Sequence, residues 1–90
     1  MLITLENLIK LARERKQNPI DGSYTNQLLS DTRLSKSKVL EEIKELIEAV
    51  ENNTNKIHEA ADVFYHLLVY LEANDIKIES VMQELEKRKK

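Results

Sequence analysis

The chain has one glycine and one proline, and they stand three residues apart, at Gly22 and Pro19. On either side the sequence runs without the two residues that most reliably interrupt a helix. Hydrophobic spacing fills those runs. Leu5, Leu8, Ile9 and Ala12 recur at helical intervals, so residues 3–16 read as a first amphipathic helix. KQNPIDG (Lys16 to Gly22) is the clearest loop, and SYTNQLL restarts a short helical piece with Ser23 as its cap. Ser30 to Ser37 reads as a polar connection, with Ser35 or Ser37 capping a third helix over 36–52. Val39, Leu40, Ile43, Leu46, Ile47 and Val50 form that helix's apolar stripe. Asn52 to Asn55 is a turn, and a fourth helix runs to about Ala73. Ala73 to Ile76 breaks it, and a last helix over 78–88 carries Val81, Met82 and Leu85 inward. No strand pattern or repeat is present. The sequence predicts an all-α bundle of four or five helices.

Ninety residues suit a single domain, 1–90, near the small end of what buries a core unaided. With only four aromatic residues, the helices are expected to be pooled in a homodimer. The absence of cysteine excludes a disulfide framework, a thiolate metal site and a Cys nucleophile. A net charge of −2 gives no footprint for nucleic acid, and the basic end EKRKK (Glu86 to Lys90) reads as a solvated helix terminus. There is no signal-peptide layout, and no apolar run approaches the ~20 residues of a membrane span. A soluble, cytoplasmic protein without membrane partners is expected.

The acids are less ordinary. From Ala60 to Leu71 ten of twelve residues are apolar or aromatic, and the exceptions are Asp62 and His66, one turn apart. On a helical wheel Glu59, Asp62 and His66 share an arc of about 60°. Glu42 and Glu45 flank the stripe of the third helix, beside Ala49, while Glu41 and Glu48 lie further round. Two helices joined by a short turn thus each carry an i,i+3 acid pair near their seam. Acid-rich helices are commonly solvated surface held by i,i+4 ion pairs, and the third helix alone would be read that way. Asp62, inside an apolar dozen, tilts the balance, because buried charges are usually paired or bind metal. Four converging carboxylates raise one another's pKa unless a cation compensates. All-oxygen ligation points to Mg²⁺ first and Mn²⁺ second. A di-iron bundle needs Glu-x-x-His on two helices, and neither His58 nor His66 has that spacing.

Glu41-Glu42-x-x-Glu45, then Glu59-x-x-Asp62, resembles the metal signature of the MazG-type all-α nucleotide pyrophosphohydrolases. More narrowly, Glu14-Arg15-Lys16, Pro19, Ser23-Tyr24-Thr25, KVLEE (Lys38 to Glu42), EAADVFYHLLVYL (Glu59 to Leu71) and the closing SVMQELEKR resemble the phosphoribosyl-ATP pyrophosphatase family. The resemblance spans almost the whole chain, and the Ser-Tyr-Thr and Tyr-His segments narrow it to this family. It implies hydrolysis of phosphoribosyl-ATP between the α- and β-phosphates, giving phosphoribosyl-AMP and pyrophosphate in the second step of histidine biosynthesis. Glu42, Glu45, Glu59 and Asp62 would hold Mg²⁺, with Glu41 as second-layer orienter or water-positioning base. Lys38, near the expected helix start, Lys36 and Arg33 in the preceding loop, and Arg15-Lys16 are candidate phosphate-binding cations. The Ser23 and Thr25 hydroxyls would touch phosphate or ribose, or equally cap a helix. The resemblance also implies homodimers, and some relatives carry a fused cyclohydrolase. That partner activity is expected on a separate chain here.

Two departures stand out. Leu40 occupies a position that is often Gly in the family, and the polar segment before Val39 is short, with Lys36-Ser37-Lys38 for the usual Lys-Lys pair. They leave open a (deoxy)nucleoside triphosphate pyrophosphohydrolase with the same metal site. A helical interaction module with a solvated acid face is the non-enzymatic alternative.

Overall fold

The structure, a computed structural model, describes residues 2–89. Lys90, the last residue of the basic terminus, lies outside the described residues. The described residues form helices and no strand: α1 (Ile3–Gln17), α2 (Tyr24–Ser30), α3 (Thr32–Asn52), α4 (Lys56–Ala73) and α5 (Ile78–Lys87). The all-α expectation holds, and α4 is the central element. It is apolar on most sides because α1, α2 and α3 all pack against it. Val69 and Leu28 are fully buried at its contact with α2, and Ala12, Ile9, Val63 and Leu68 extend the core toward α1.

α3 and α4 form a hairpin whose geometry places the acids. Asn53 and Asn55 both take left-handed backbone, with φ of 55° and 41°, a conformation Asn adopts at less cost than most side chains. Thr54 N–H donates back to the Ala49 carbonyl at 2.9 Å, closing α3, and Glu59 N–H bonds the Asn55 carbonyl at 3.0 Å, opening α4. The connection is only Asn53 to Asn55, so α4 folds straight back along α3.

The expected connection from Ser30 to Ser37 is not a loop. Asp31 alone separates α2 from α3, and its carboxylate caps α3 by accepting from Leu34 N–H at 3.0 Å. Ser35 and Ser37 are therefore interior helical residues, not caps, and apart from Ser35 the polar side chains of this stretch are exposed. Ser35 is 1% exposed, and its hydroxyl has no partner among the described residues.

A second difference concerns what the stripe of α3 faces. Leu40, Ile43, Ile47 and Val50 are 39–61% exposed, whereas Ser35, Glu42 and Ala49 face the interior. Periodicity tells which residues share a face, not what covers them. The chain packs α3 by its small and acidic side and leaves most of the apolar stripe outward. α5 behaves likewise. It buries no residue, and Met82 and Leu85 are half exposed where an inward face was expected. Ion pairs tether it instead. The Arg13 guanidinium donates to both Glu79 oxygens at 2.6 and 2.8 Å and to Glu72 at 2.8 Å, while Lys16 pairs with Asp75.

Candidate active site

On α3, Glu42 and Glu45 stand one turn apart. On α4, Glu59 and Asp62 do the same. The hairpin brings oxygens of Glu42, Glu45 and Glu59 to within 4.8 Å of one another, and those of Glu59 and Asp62, with His58, form a second group of the same span. Glu59 belongs to both, so the four expected ligands make one continuous acid face. Glu42 is only 8% exposed. Its Oε2, and Oε2 of Glu59, are buried without a hydrogen-bond partner among the described residues.

This arrangement is costly for a bare protein. Burial, contact with Glu45 and the charges of Asp62 and Glu41 push the Glu42 carboxyl up to about 7. Burial and then Glu45 raise Glu59 as well. Among the described residues no lysine or arginine pairs with Glu42, Glu45 or Glu59, and Asp62 meets only His58, at 3.4 Å. Orphaned carboxylate oxygens converging from two helices, with no basic side chain between them, fit a hard divalent cation.

One wall of the face is aromatic. His66, 7% exposed, is bonded through Nδ1 to the Asp62 carbonyl and through Nε2 to the Tyr24 hydroxyl, both at 2.9 Å. Beside it, Thr25 Oγ1 and Tyr65 Oη are 2.5 Å apart. The Tyr24 and Tyr65 rings stack with centroids 6.3 Å apart, and both meet His66 edge-on.

The expected substrate-binding residues separate into two groups. Lys38 lies beside the acids, with Nζ 3.2 Å from Glu41 and its charge felt by Tyr24. It is not at a helix start, however. α3 begins at Thr32, so Lys38 acts from the second turn and gains nothing from free backbone N–H groups. Lys36 and Arg33 are likewise exposed helical residues, not loop residues. Glu41, the expected water-positioning base, is exposed and holds Lys38. Lys16 is remote. It bonds the Glu72 carbonyl at 2.7 Å, and Glu72 lies about 15 Å along α4 from Asp62. Thr25 is 8% exposed, and its hydroxyl contacts Tyr65 Oη. Ser23 caps α2 by accepting from Asn26 N–H, and also takes a bond from Arg15 at 3.1 Å.

Residues 5–89 match the family model described as phosphoribosyl-ATP pyrophosphohydrolase. A phosphoribosyl-ATP pyrophosphatase of Clostridium acetobutylicum is 43% identical over 88 residues, covering 93% of this chain and 79% of that protein. One of Methanocella arvoryzae is 40% identical over 96 aligned positions, covering the whole of both chains. The chain belongs to the phosphoribosyl-ATP pyrophosphohydrolase family. A histidine biosynthesis bifunctional protein of Pyrococcus furiosus is 38% identical over 99% of this chain, which spans only 43% of that longer protein.

For a phosphoribosyl-ATP pyrophosphohydrolase family member, two details of the site escaped the sequence. His58 joins the acid face, although its i,i+4 relation to Asp62 was visible as spacing. Tyr24 and Tyr65 were visible only as parts of a motif. Their cross-pairing, Tyr24 to His66 and Thr25 to Tyr65, joins two segments 40 or more residues apart. No local pattern encodes that contact.

Proposed function

We propose that this chain hydrolyses phosphoribosyl-ATP to phosphoribosyl-AMP and pyrophosphate in a Mg²⁺-dependent reaction, the second step of histidine biosynthesis. The observation that carries the reading is the acid face of Glu42, Glu45, Glu59 and Asp62, with buried, unpartnered carboxylate oxygens, in a chain of this family.

Those four residues would hold the ion, Mg²⁺ first and Mn²⁺ second. Bound there, the ion would supply charge neutralisation for the phosphate oxygens and for the leaving pyrophosphate. The chain's own groups do the rest. Lys38 offers a cation at the rim for the phosphate chain. Glu41 orients Lys38 through their 3.2 Å contact, and its second oxygen is free to position the attacking water. Water adds across the α,β-anhydride, its oxygen ending on one product and the cleaved bridge leaving with the other. Arg15, beside Ser23 at the end of α1, serves the outer part of the substrate, whereas Lys16 is a structural residue. The aromatic wall excludes solvent from one side of the acids, and its bond from His66 to the Asp62 carbonyl fixes the turn that carries Asp62.

The working unit is proposed to be a homodimer. The outward stripe of α3 lies in the same chain as a groove of about 540 Å³ lined by Leu2, Leu5, Leu8, Ile57, Ala60 and Phe64. Ile57 is 88% exposed and Phe64 57%. Apolar faces of this extent mark association surfaces. No described helix is long and apolar enough to cross a membrane, and the cytoplasm, where an ATP-derived substrate forms, is the proposed location.

Pyrophosphate release from phosphoribosyl-ATP, beside ATP and a dNTP set, with Mg²⁺ and with EDTA, tests the proposal. Selective, EDTA-sensitive turnover of phosphoribosyl-ATP is expected. Turnover of dNTPs alone would keep the metal site and discard the pathway. Silence across the panel would leave a helical interaction module.

A further inference from the structure

The chemistry assigned to the acid face does not use the phenol of Tyr24. We infer that Tyr24 is a specificity-determining residue that contacts substrate, its oxygen accepting a hydrogen bond from a ribose hydroxyl of the triphosphate-bearing nucleoside. This inference rests on the nucleotide reading above.

The bonding around His66 fixes what Tyr24 can offer. His66 Nδ1 is 2.9 Å from the Asp62 carbonyl. A carbonyl only accepts, so Nδ1 carries the hydrogen. In the neutral ring Nε2 is then an acceptor, and the Tyr24 hydroxyl, 2.9 Å away, gives its one hydrogen to it. The phenol oxygen is left with lone pairs alone. It cannot donate to a phosphate oxygen, so its match in a ligand is an N–H or O–H.

Position narrows the choice. Tyr24 is 42% exposed, so the ring is not sealed in the core. Its hydroxyl bonds His66, whose other ring nitrogen bonds the Asp62 carbonyl, so it stands at the edge of the acid face. Lys38 is ion-paired with Glu41, and among the described residues the Tyr24 hydroxyl is hydrogen-bonded to His66 alone. Tyr65 stacked at 17° and His66 edge-on hold the ring in place, so the acceptor is preorganised. In a nucleotide whose phosphates meet the acids, the donors next along the molecule are the sugar hydroxyls. The amino groups of a base lie further out. A nucleotide lacking the matched hydroxyl would leave the Tyr24 oxygen unpaired, and a site built around a hydroxyl rejects the analogue without it.

The test combines Tyr24→Phe with removal of the hydroxyl from the substrate. Phe keeps the ring and its stacking, and circular dichroism and melting check the fold. kcat/KM is measured for wild type and variant on phosphoribosyl-ATP and its 2′-deoxy and 3′-deoxy counterparts. Wild type should favour the full ribose over one deoxy analogue by roughly tenfold. The variant should lose roughly tenfold on the full ribose and little on that analogue, bringing their ratio near one. Equal losses on all three substrates would mean a purely structural role and would overturn the inference, as would no loss at all. If wild type ignores phosphoribosyl-ATP but hydrolyses ATP, the pathway assignment fails. The same cycle on ATP, 2′-deoxy-ATP and 3′-deoxy-ATP then decides Tyr24 separately. A chain inactive on every nucleotide overturns both.

Discussion

Glu42 is the residue where folding and binding conflict most directly. Its folded carboxyl sits near 7, against an ordinary value of 4.5. Because the folded pKa is the higher one, the folded chain binds more protons than the unfolded chain between those values. Stability without an ion therefore falls as pH rises from about 4.5 through about 7, by about 3 kcal/mol. Glu59 is shifted the same way and adds to the trend. Melting in EDTA should accordingly move to higher temperature as pH is lowered from 7.5 to 5.5. The gain on adding Mg²⁺ should be largest at the upper end, where the carboxylates are charged. At a hundredfold excess over Kd that gain is about 2.7 kcal/mol, and Asp62→Ala should abolish it. A melting temperature indifferent to both pH and Mg²⁺ would remove the metal site. Ser35 makes a simpler case. Its hydroxyl is buried and unpartnered, and Ala is the better helix former. Ser35→Ala should stabilise by about 1 kcal/mol, or roughly 4–8 °C in a chain this size. A drop in melting temperature would show that the hydroxyl has a partner.

At the scale of elements, α5 is the least secured. It buries no residue, and its visible tie is the Arg13 fork to Glu79, with Arg13 also held by Glu72 of α4 and Lys16 pairing Asp75 in the turn before the helix. Contact with Arg13 holds the Glu79 carboxyl down at about 2, so the tie survives any mild acid. Exposed pairs contribute little to global stability, but here they locate a whole helix. Glu79→Gln, which leaves the pair of Arg13 with the buried Glu72 in place, should leave the main melting transition nearly unchanged while accelerating amide exchange across Ile78–Lys87, read by mass spectrometry. Slow exchange there in the variant would mean that Val81, Met82 and Leu85 have a cover beyond the single chain. Elements were also where the sequence was most and least legible. Helical periods and the Asn-rich turn gave α3, α4 and the acid pairs. The start of α3 was misplaced because Ser30 to Ser37 looked like a loop by polarity, while one capping aspartate did the work of the connection. Tyr24 and Tyr65 stayed opaque because their partners are distant in sequence.

For the whole molecule the question is what covers the outward face of α3. Leu40, Ile43, Ile47 and Val50 sit there, and Ile47 is 55% exposed in the single chain. The inner side of the same helix carries Glu42 and Glu45. A second copy packed on the outer side would press α3 onto α4 and hold the two acid pairs in register. Ile47→Glu separates the alternatives. On a solvated face the change should cost within about 0.5 kcal/mol and leave the mass as it was. Across a dimer interface it places a charge among apolar side chains, at several times that cost. Sedimentation of wild type at micromolar concentration should give twice the chain mass of 10.5 kDa, and Ile47→Glu should shift the equilibrium to the single chain. Pyrophosphate release should then fall with dilution, in step with the loss of dimer, although no acid has been altered. A variant that sediments as a single chain yet keeps full activity would show that the hairpin of α3 and α4 sets the site without help from a second copy.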